Sequence, residues 1–330
     1  MSSETDRVLW ESLARQAFET IGPIGWHWFA FHFSNLPNHP FAVSIIDACV
    51  DCEKALPGLG FQFIDNLASI SGVERHEPHY DQLLQKLSEL LVLRRLFSLD
   101  WPSGTTFEHE PAVQANGKRP ELRVRTLNAN FLFEVKAPSL LEHQRLRSKN
   151  KMQAPGRAIP KGKLDELIGD RTLTMARDLP VKDFLIDADK KFAQFKALKP
   201  ETSVLVIVWD DFIYEPITSL THEDCGLLTP NSFFKDGTGA AVQFPHIDAV
   251  VIVRHLIYFK RAAADAVLEE RAHALDFGGD CDLPNAFVPI TQPTPVPDYV
   301  LEGLRAVPID SPILEGAAEY RAQELILWFS

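Results

Sequence analysis

The sequence predicts an α/β fold built on a mixed sheet, and three observations support that prediction. Residues 203–209 and 247–255 are continuous apolar runs, as expected for strands that are buried on both faces. Residues 120–138 alternate apolar and polar side chains on either side of a polar turn, which predicts an antiparallel hairpin. Helical patterns separate these strands along the chain, so we expect helices to cover the sheet.

The first 75 residues predict helices. Apolar residues recur at helical spacing around Leu13 and again around Ile45, where the second pattern ends before Pro57. A leucine-rich pattern over 80–97 predicts a further helix with one apolar face turned inward. We therefore expect a helical N-terminal region over 1–75.

An α/β domain is expected over residues 76–260. Residues 105–111 predict its first strand, and the hairpin supplies the second and third. Helical patterns over 164–178 and 186–198 then precede the two continuous apolar strands.

Residues 261–330 predict a helical and proline-rich extension. An alanine-, glutamate- and arginine-rich stretch over 261–275 and a last pattern over 316–328 predict helices. The prolines of 291–297 predict a stiff crossing over the surface.

Composition predicts a globular intracellular protein. Hydrophobic residues make up 45% of the 330 residues, which is enough for a large core and argues against a disordered chain. No run of eighteen apolar residues occurs, the N-terminus is polar, and there are only four cysteines. We therefore expect a cytoplasmic location and no membrane partner. The net charge of −12 argues against sequence-independent binding of nucleic acid over the whole surface.

The hairpin places charge where apolar residues are expected. A two-residue turn at 128–129 would put Arg123 opposite Glu134 and Glu121 opposite Lys136. Directly opposed residues share a face of the sheet, so the two glutamates and the lysine would converge. Carboxylates are the hard oxygen ligands that Mg²⁺ prefers, and a lysine on the same face can orient a water molecule or stabilise developing negative charge.

The pattern Pro-Glu, twelve residues, then Glu-x-Lys, which spans Pro120 to Lys136, resembles the PD-(D/E)xK nuclease superfamily, the fold of many restriction endonucleases. The resemblance covers residues 76–260, whose predicted order matches the αβββαβ core of the restriction-endonuclease-like fold. It implies a metal-dependent endonuclease in which Glu121, Glu134 and Lys136 are catalytic. Glu121 stands where the family usually has aspartate.

The resemblance also implies Mg²⁺ or Mn²⁺ as the cofactor. The expected metal ligands are Glu89, Glu121, Glu134 and the carbonyl of Val135. Glu89 is included because the helix before the sheet often contributes a carboxylate in this fold, with Glu108 and Glu110 as alternatives. A helix after the Glu-x-Lys strand often bears a polar residue that reaches the site, and Lys190, Lys191 and Gln194 are the candidates.

A basic segment follows the hairpin and contains no acidic residue from 143 to 163. Its cationic residues are Arg145, Arg147, Lys149, Lys151, Arg157, Lys161 and Lys163. Because the segment follows the proposed metal site so closely, we expect it to contact phosphates, with DNA favoured over RNA. Cutting both strands of a duplex commonly calls for two active sites, so a homodimer is also considered.

Three alternatives stay open. The hairpin charges can form cross-strand ion pairs in a catalytically inactive protein that acts as a binding or assembly module. A zinc site can be written from Cys49, Cys52, His76 and His79, although burial of the cysteines is the plainer interpretation. Asp210 and Asp211 can join a site or end the strand before them.

Overall fold

The computed structural model describes residues 4–114, 117–139, 141–149, 152–154, 162, 166, 174–175, 177–210, 212–279, 282–323 and 326–327. Within them the chain is α/β. Its helices are α1 (Glu4–Thr20), α2 (Ala30–Ser34), α3 (Pro40–Ala55), α4 (Leu59–Ser69), α5 (Glu77–Phe97), α6 (Leu141–Lys149), α7 (Asp178–Lys196), α8 (Tyr214–Thr221), α9 (Leu256–Ala263) and α10 (Asp298–Gly303). Its strands are β1 (Thr106–His109), β2 (Leu122–Arg125), β3 (Asn130–Lys136), β4 (Met152–Ala154), β5 (Thr174–Met175), β6 (Thr202–Trp209), β7 (Ala249–Arg254), β8 (Asn285–Pro289), β9 (Ala306–Pro308) and β10 (Ile326–Leu327).

Seven strands form a mixed sheet in the order β1-β2-β3-β6-β7-β8-β9. The first three are antiparallel neighbours, and β3, β6 and β7 run parallel to one another. Strand β8 is antiparallel to β7, and β9 is parallel to β8. The five strands predicted from the sequence are confirmed. The residues of β6 and β7 are buried almost throughout, which explains their continuous apolar runs. A separate small sheet has the order β10-β4-β5.

The sheet separates two hydrophobic cores. One contains residues from α1 to α5 packed against Phe131, Phe133 and Val135 of β3. The other contains residues of α7 and α8 packed against Leu132. Successive residues of β3 therefore enter opposite cores, as the two-residue period requires. Burying each of these phenylalanines stabilises the fold by about 1.5–3 kcal/mol.

The predicted helices of the first hundred residues are confirmed, and the helix predicted over 186–198 is α7, which begins earlier than expected. The helix predicted over 164–178 lies largely outside the described residues. Among the described helices, none is long and apolar enough to cross a membrane.

Both helices predicted in the C-terminal extension are wrong. Helix α9 ends at Ala263, and beyond it Asp265 and Glu270 have positive φ angles of 54° and 66° that no α-helix accepts. The buried ring of His255 donates a hydrogen bond from Nε2 to the carbonyl of Ala274 at 2.7 Å. The carbonyl of Ala274 therefore has a distant side-chain partner in place of the backbone N–H that a helix would provide. Residues 316–323 form turns and a single 3₁₀ turn, where Tyr320 is buried and donates its hydroxyl to the carbonyl of Pro284 at 2.7 Å.

The extension instead adds two strands to the sheet, β8 and β9, which the sequence analysis missed. One hydrophobic core includes residues from all three predicted regions, for example Leu13, Leu87 and Leu304. The predicted boundaries at 75 and 260 stay predictions.

Candidate metal and catalytic site

The hairpin register differs by two residues from the predicted one. Arg125 pairs with Asn130, and residues 126–129 form the connection, which is two residues longer than expected. The hydroxyl of Thr126 accepts the backbone N–H of Ala129 at 3.0 Å and donates to its carbonyl at 2.8 Å, which closes the longer turn. Continuing this register places Glu121 opposite Glu134. Because the difference is even, every side chain stays on its predicted face.

Glu121 and Glu134 are therefore direct cross-strand neighbours, whereas the predicted register placed them diagonally across the hairpin. Glu89 joins them from α5, where it is 3% exposed. Burial, followed by the nearby charges of Glu89 and Glu134, raises the pKa of Glu121 to about 8. Burial also raises the pKa of Glu89, and Lys86 only partly offsets it. The structure thus brings the three predicted carboxylate ligands within electrostatic reach of one another.

Two carboxylate oxygens of this group are buried without a hydrogen bond. They are Oε2 of Glu121 and Oε2 of Glu134, and Glu134 is fully buried. An unpaired buried carboxylate oxygen is costly, so these atoms mark a place where a cation would be favourable.

Lys136 lies between two carboxylates. Its Nζ is 2.8 Å from Oε1 of Glu134 and 2.9 Å from Oδ2 of Asp187 in α7. Burial opposes the charged form, but Glu134 and Asp187 raise the pKa of Lys136 above its ordinary range. Lys191 of α7 also reaches Oε1 of Glu134, at 2.5 Å. Asp187 in turn pairs with Lys118, and these lysines hold its pKa below its ordinary range against the effect of burial.

Helix α7 therefore contributes to the site through Asp187 and Lys191. The sequence analysis named Lys191 as a candidate but gave Asp187 no role. Their spacing of four residues on one helix face is the signal that could have linked them. Lys190, the neighbouring candidate, is exposed.

The cross-strand ion pairs of the inactive alternative are not those expected. Arg123 pairs with the buried Glu201, not with Glu134, and Lys136 pairs with Glu134, not with Glu121. Glu108, an alternative metal ligand, pairs with Arg125 at 2.6 Å and is half-exposed. Glu89 pairs with Lys86. Ion pairs thus do neutralise part of this site, but in a different arrangement.

Val135 lies between Glu134 and Lys136 in β3, and its side chain points to the other face of the sheet, where it is buried in the core that α1 to α5 form. Its carbonyl as a metal ligand stays a prediction, as do the roles of the other predicted residues.

A histidine that the sequence analysis did not consider lies beside the predicted ligands. His109, Glu110 and Glu121 each offer one ligand atom, and these atoms lie within 4.8 Å of one another. Glu110 was an alternative ligand, whereas His109 was only part of the predicted strand. A histidine beside a glutamate at the end of a strand was the available signal.

The basic segment is described only in part. Arg145 pairs with Glu77. Arg147 is 3.3 Å from Asp210 and stacks on the ring of Phe212 at 3.7 Å. Lys149 is exposed at the end of α6. Lys151, Arg157, Lys161 and Lys163 lie outside the described residues.

The remaining candidates have structural explanations. Cys49 and Cys52 are fully buried in α3, and burial raises the pKa of both thiols. No group of three or more potential ligands in the described part of the chain includes them. Asp210 accepts the N–H of Phe212 at 3.1 Å, and its buried carboxylate forms ion pairs with Arg177 and Arg147. Asp211 lies outside the described residues.

The residues present suit a divalent cation, because Oε2 of Glu121 and Oε2 of Glu134 are buried without hydrogen bonds, the charges of Glu89 and Glu134 act on Glu121, and Lys136 pairs with the other oxygen of Glu134. Such an arrangement can bind a cation and present it, with Lys136, to an anionic substrate. Among the described residues, however, the group of three potential ligands whose atoms lie within 4.8 Å of one another is His109, Glu110 and Glu121. Comparison with protein-family models, curated proteins and solved structures finds no match for this chain.

Proposed function

We propose that this protein is a metal-dependent nuclease with a restriction-endonuclease-like core that hydrolyses phosphodiester bonds, with DNA favoured as the substrate. The observation that carries the proposal is the pair of buried oxygens without partners on Glu121 and Glu134, together with the ammonium group of Lys136, which lies 2.8 Å from the other oxygen of Glu134. The order α5, β1, β2, β3, α7, β6 also supports it, since it follows the αβββαβ order once α6, β4 and β5, which lie between β3 and α7 in the chain, are treated as an insertion.

Glu89, Glu121 and Glu134 would hold Mg²⁺ or Mn²⁺ together with the carbonyl of Val135. When bound, the ion supplies a Lewis acid for the phosphate and an acidified water. Glu134 faces the site from the middle of the sheet, where its full burial and its lysine partners fix the carboxylate in place.

Lys136 has two tasks in the proposed reaction. Its charge is maintained by Glu134 and Asp187, so it acts as a donor of hydrogen bonds and not as a base. It orients the attacking water and stabilises negative charge on the phosphoryl oxygens. The water oxygen bonds to phosphorus and gives up one proton to solvent, the bond to the leaving oxygen breaks, and the leaving oxygen takes up a proton from solvent, so that the protons balance.

The test is cleavage of supercoiled duplex DNA, circular single-stranded DNA and RNA with Mg²⁺, Mn²⁺ or EDTA. We expect metal-dependent cutting by the wild type and a loss of about 100-fold or more in Lys136→Ala, as for other transition-state donors. The exposed Lys190→Ala is the matched control and should cut normally. Full metal-dependent cleavage by Lys136→Ala would refute the assignment.

A second candidate is a non-catalytic protein of the same fold that acts as a binding or assembly module. It is favoured by the lysines that already pair with the site carboxylates: Lys86 with Glu89, and Lys136 with Glu134. Calorimetry with Mg²⁺ separates the candidates, because the nuclease must bind the ion through Glu89, Glu121 and Glu134, whereas the second candidate predicts no Mg²⁺ binding there.

A further inference from the structure

The end of strand β1 brings three ligand-bearing side chains together. His109 is its last residue, and Glu110 follows with a positive φ of 44°. Neighbouring residues of a regular strand point to opposite faces, so the left-handed conformation of Glu110 ends that alternation where the side chains converge. The backbone N–H of Glu110 donates to the carbonyl of Glu121 at 3.0 Å, which fixes the two glutamates relative to each other. The ligand atoms of His109, Glu110 and Glu121 consequently lie within 4.8 Å of one another.

Negative charge is in excess at this point. Lys86 interacts with Glu89, Glu110 and Glu121 but forms its ion pair with Glu89, and Lys191, which also acts on Glu121, pairs with Glu134. The buried Oε2 of Glu121 accepts no hydrogen bond. No hydrogen bond to the ring of His109 is found among the described residues, where the ring contacts Phe63. Glu121 and His109 thus each offer a potential metal-binding atom that has no hydrogen-bond partner among the described residues.

The chemistry of the donors selects the ion. Mg²⁺ and Ca²⁺ are bound almost entirely by oxygen, whereas an imidazole nitrogen with carboxylates suits Mn²⁺, Fe²⁺, Co²⁺ or Zn²⁺. We propose that His109, Glu110 and Glu121 bind a divalent transition-metal ion, at a position adjacent to the one formed by Glu89 and Glu134 and sharing Glu121 with it. This claim concerns the binding of a cation and does not depend on cleavage.

The test uses Mn²⁺ with the full chain, followed by electron spin echo spectroscopy, because an imidazole bound to Mn²⁺ gives a ¹⁴N modulation that carboxylates do not. We expect this modulation in the wild type and its loss in His109→Gln. The exposed His76→Gln is the matched control and should keep the modulation. Mn²⁺ bound to the wild type without ¹⁴N modulation, or modulation that survives in folded His109→Gln, would overturn the proposal.

If His109→Gln does not fold, the wild-type spectrum still tests the proposal, because Mn²⁺ bound without ¹⁴N modulation would refute it. Glu110→Gln, which follows the strand, is a second variant and should weaken Mn²⁺ binding at the nitrogen-containing position. Unchanged Mn²⁺ affinity in Glu110→Gln would exclude it as a ligand and overturn the three-residue site.

The outcome is separable from that of the proposed nuclease. If Lys136-dependent cleavage is observed but no ¹⁴N modulation, the nuclease stands and the transition-metal position falls. If the modulation is observed without cleavage of any nucleic acid, the metal position stands and the nuclease falls.

Discussion

Glu121 should make the metal-free protein less stable as the pH rises, and Glu121→Gln should remove that effect. The pKa of Glu121 rises from an ordinary 4.5 to about 8 because of burial and the neighbouring Glu89 and Glu134. A group whose pKa is raised on folding binds more protons in the folded chain than in the unfolded one. Its stabilising contribution is complete below pH 4.5 and is lost progressively up to pH 8.

The magnitude follows from the size of the rise. The pKa of Glu121 differs by about 3.5 between the folded and unfolded chain, and a pKa difference of 1 corresponds to ~1.4 kcal/mol. The free energy of unfolding should therefore fall by ~5 kcal/mol between pH 4.5 and pH 8. Glu89, whose pKa is also raised, acts in the same direction and remains in the variant. The informative quantity is therefore the difference between Glu121→Gln and wild type, which should be near zero at pH 4 and should grow to several kcal/mol in favour of the variant by pH 9.

The assay is urea unfolding in EDTA at a series of pH values from 4 to 9. The control is Glu108→Gln, a half-exposed glutamate of the same sheet that should leave the pH dependence parallel to that of the wild type. Identical pH dependence in Glu121→Gln and wild type would show that Glu121 is ionised without cost in the folded chain. Adding Mn²⁺ should flatten the wild-type curve above pH 7 and leave that of Glu121→Gln nearly unchanged.

Two further predictions concern stability and are checked by urea unfolding at pH 7. Arg177→Ala removes the cation that lies 2.8 Å and 2.6 Å from two buried carboxylates, so it should cost about 3–5 kcal/mol, whereas the exposed Arg7→Ala should stay within ~0.5 kcal/mol. An Arg177→Ala protein as stable as the wild type would show that the remaining partners, Arg147 on Asp210 and His143 on Glu215, are sufficient to stabilise those carboxylates. Phe133→Ala empties a fully buried site and should cost about 3–5 kcal/mol, against a small effect of the exposed Val8→Ala. A loss below 1 kcal/mol would mean that the core collapses around the missing ring.

The hairpin shows why part of the site could be predicted without the structure. The face of the sheet on which Glu121, Glu134 and Lys136 lie follows from the two-residue period of a strand, and the alternation of apolar and polar residues makes that period visible in the sequence. The register depends instead on the turn, where the hydroxyl of Thr126 closes a longer connection than the polar residues alone indicate. An even difference in register preserves the faces, so the convergence was predicted while the pairing was not.

The C-terminal extension shows the opposite case. Its composition favours helix, but its residues are held by distant partners, such as His255 on Ala274 and Tyr320 on Pro284. Helix propensity is worth less than 1 kcal/mol per residue, so burial and hydrogen bonds over long separations override it. The same pairing over distance places β8 and β9 on the sheet.

The sequence by itself determined the α/β class, the five predicted strands of the sheet, three of the helices of the first hundred residues and the face on which the two glutamates and the lysine lie. Each of these depends on neighbours along the chain. Only the tertiary structure decided that Glu89 is buried beside Glu121, that Asp187 and Lys191 surround Lys136 and Glu134, and that His109 meets two carboxylates. Those contacts join helices and strands that lie far apart in the chain, and their energies come from charges and burial that exist only once the sheet and its helices have packed together.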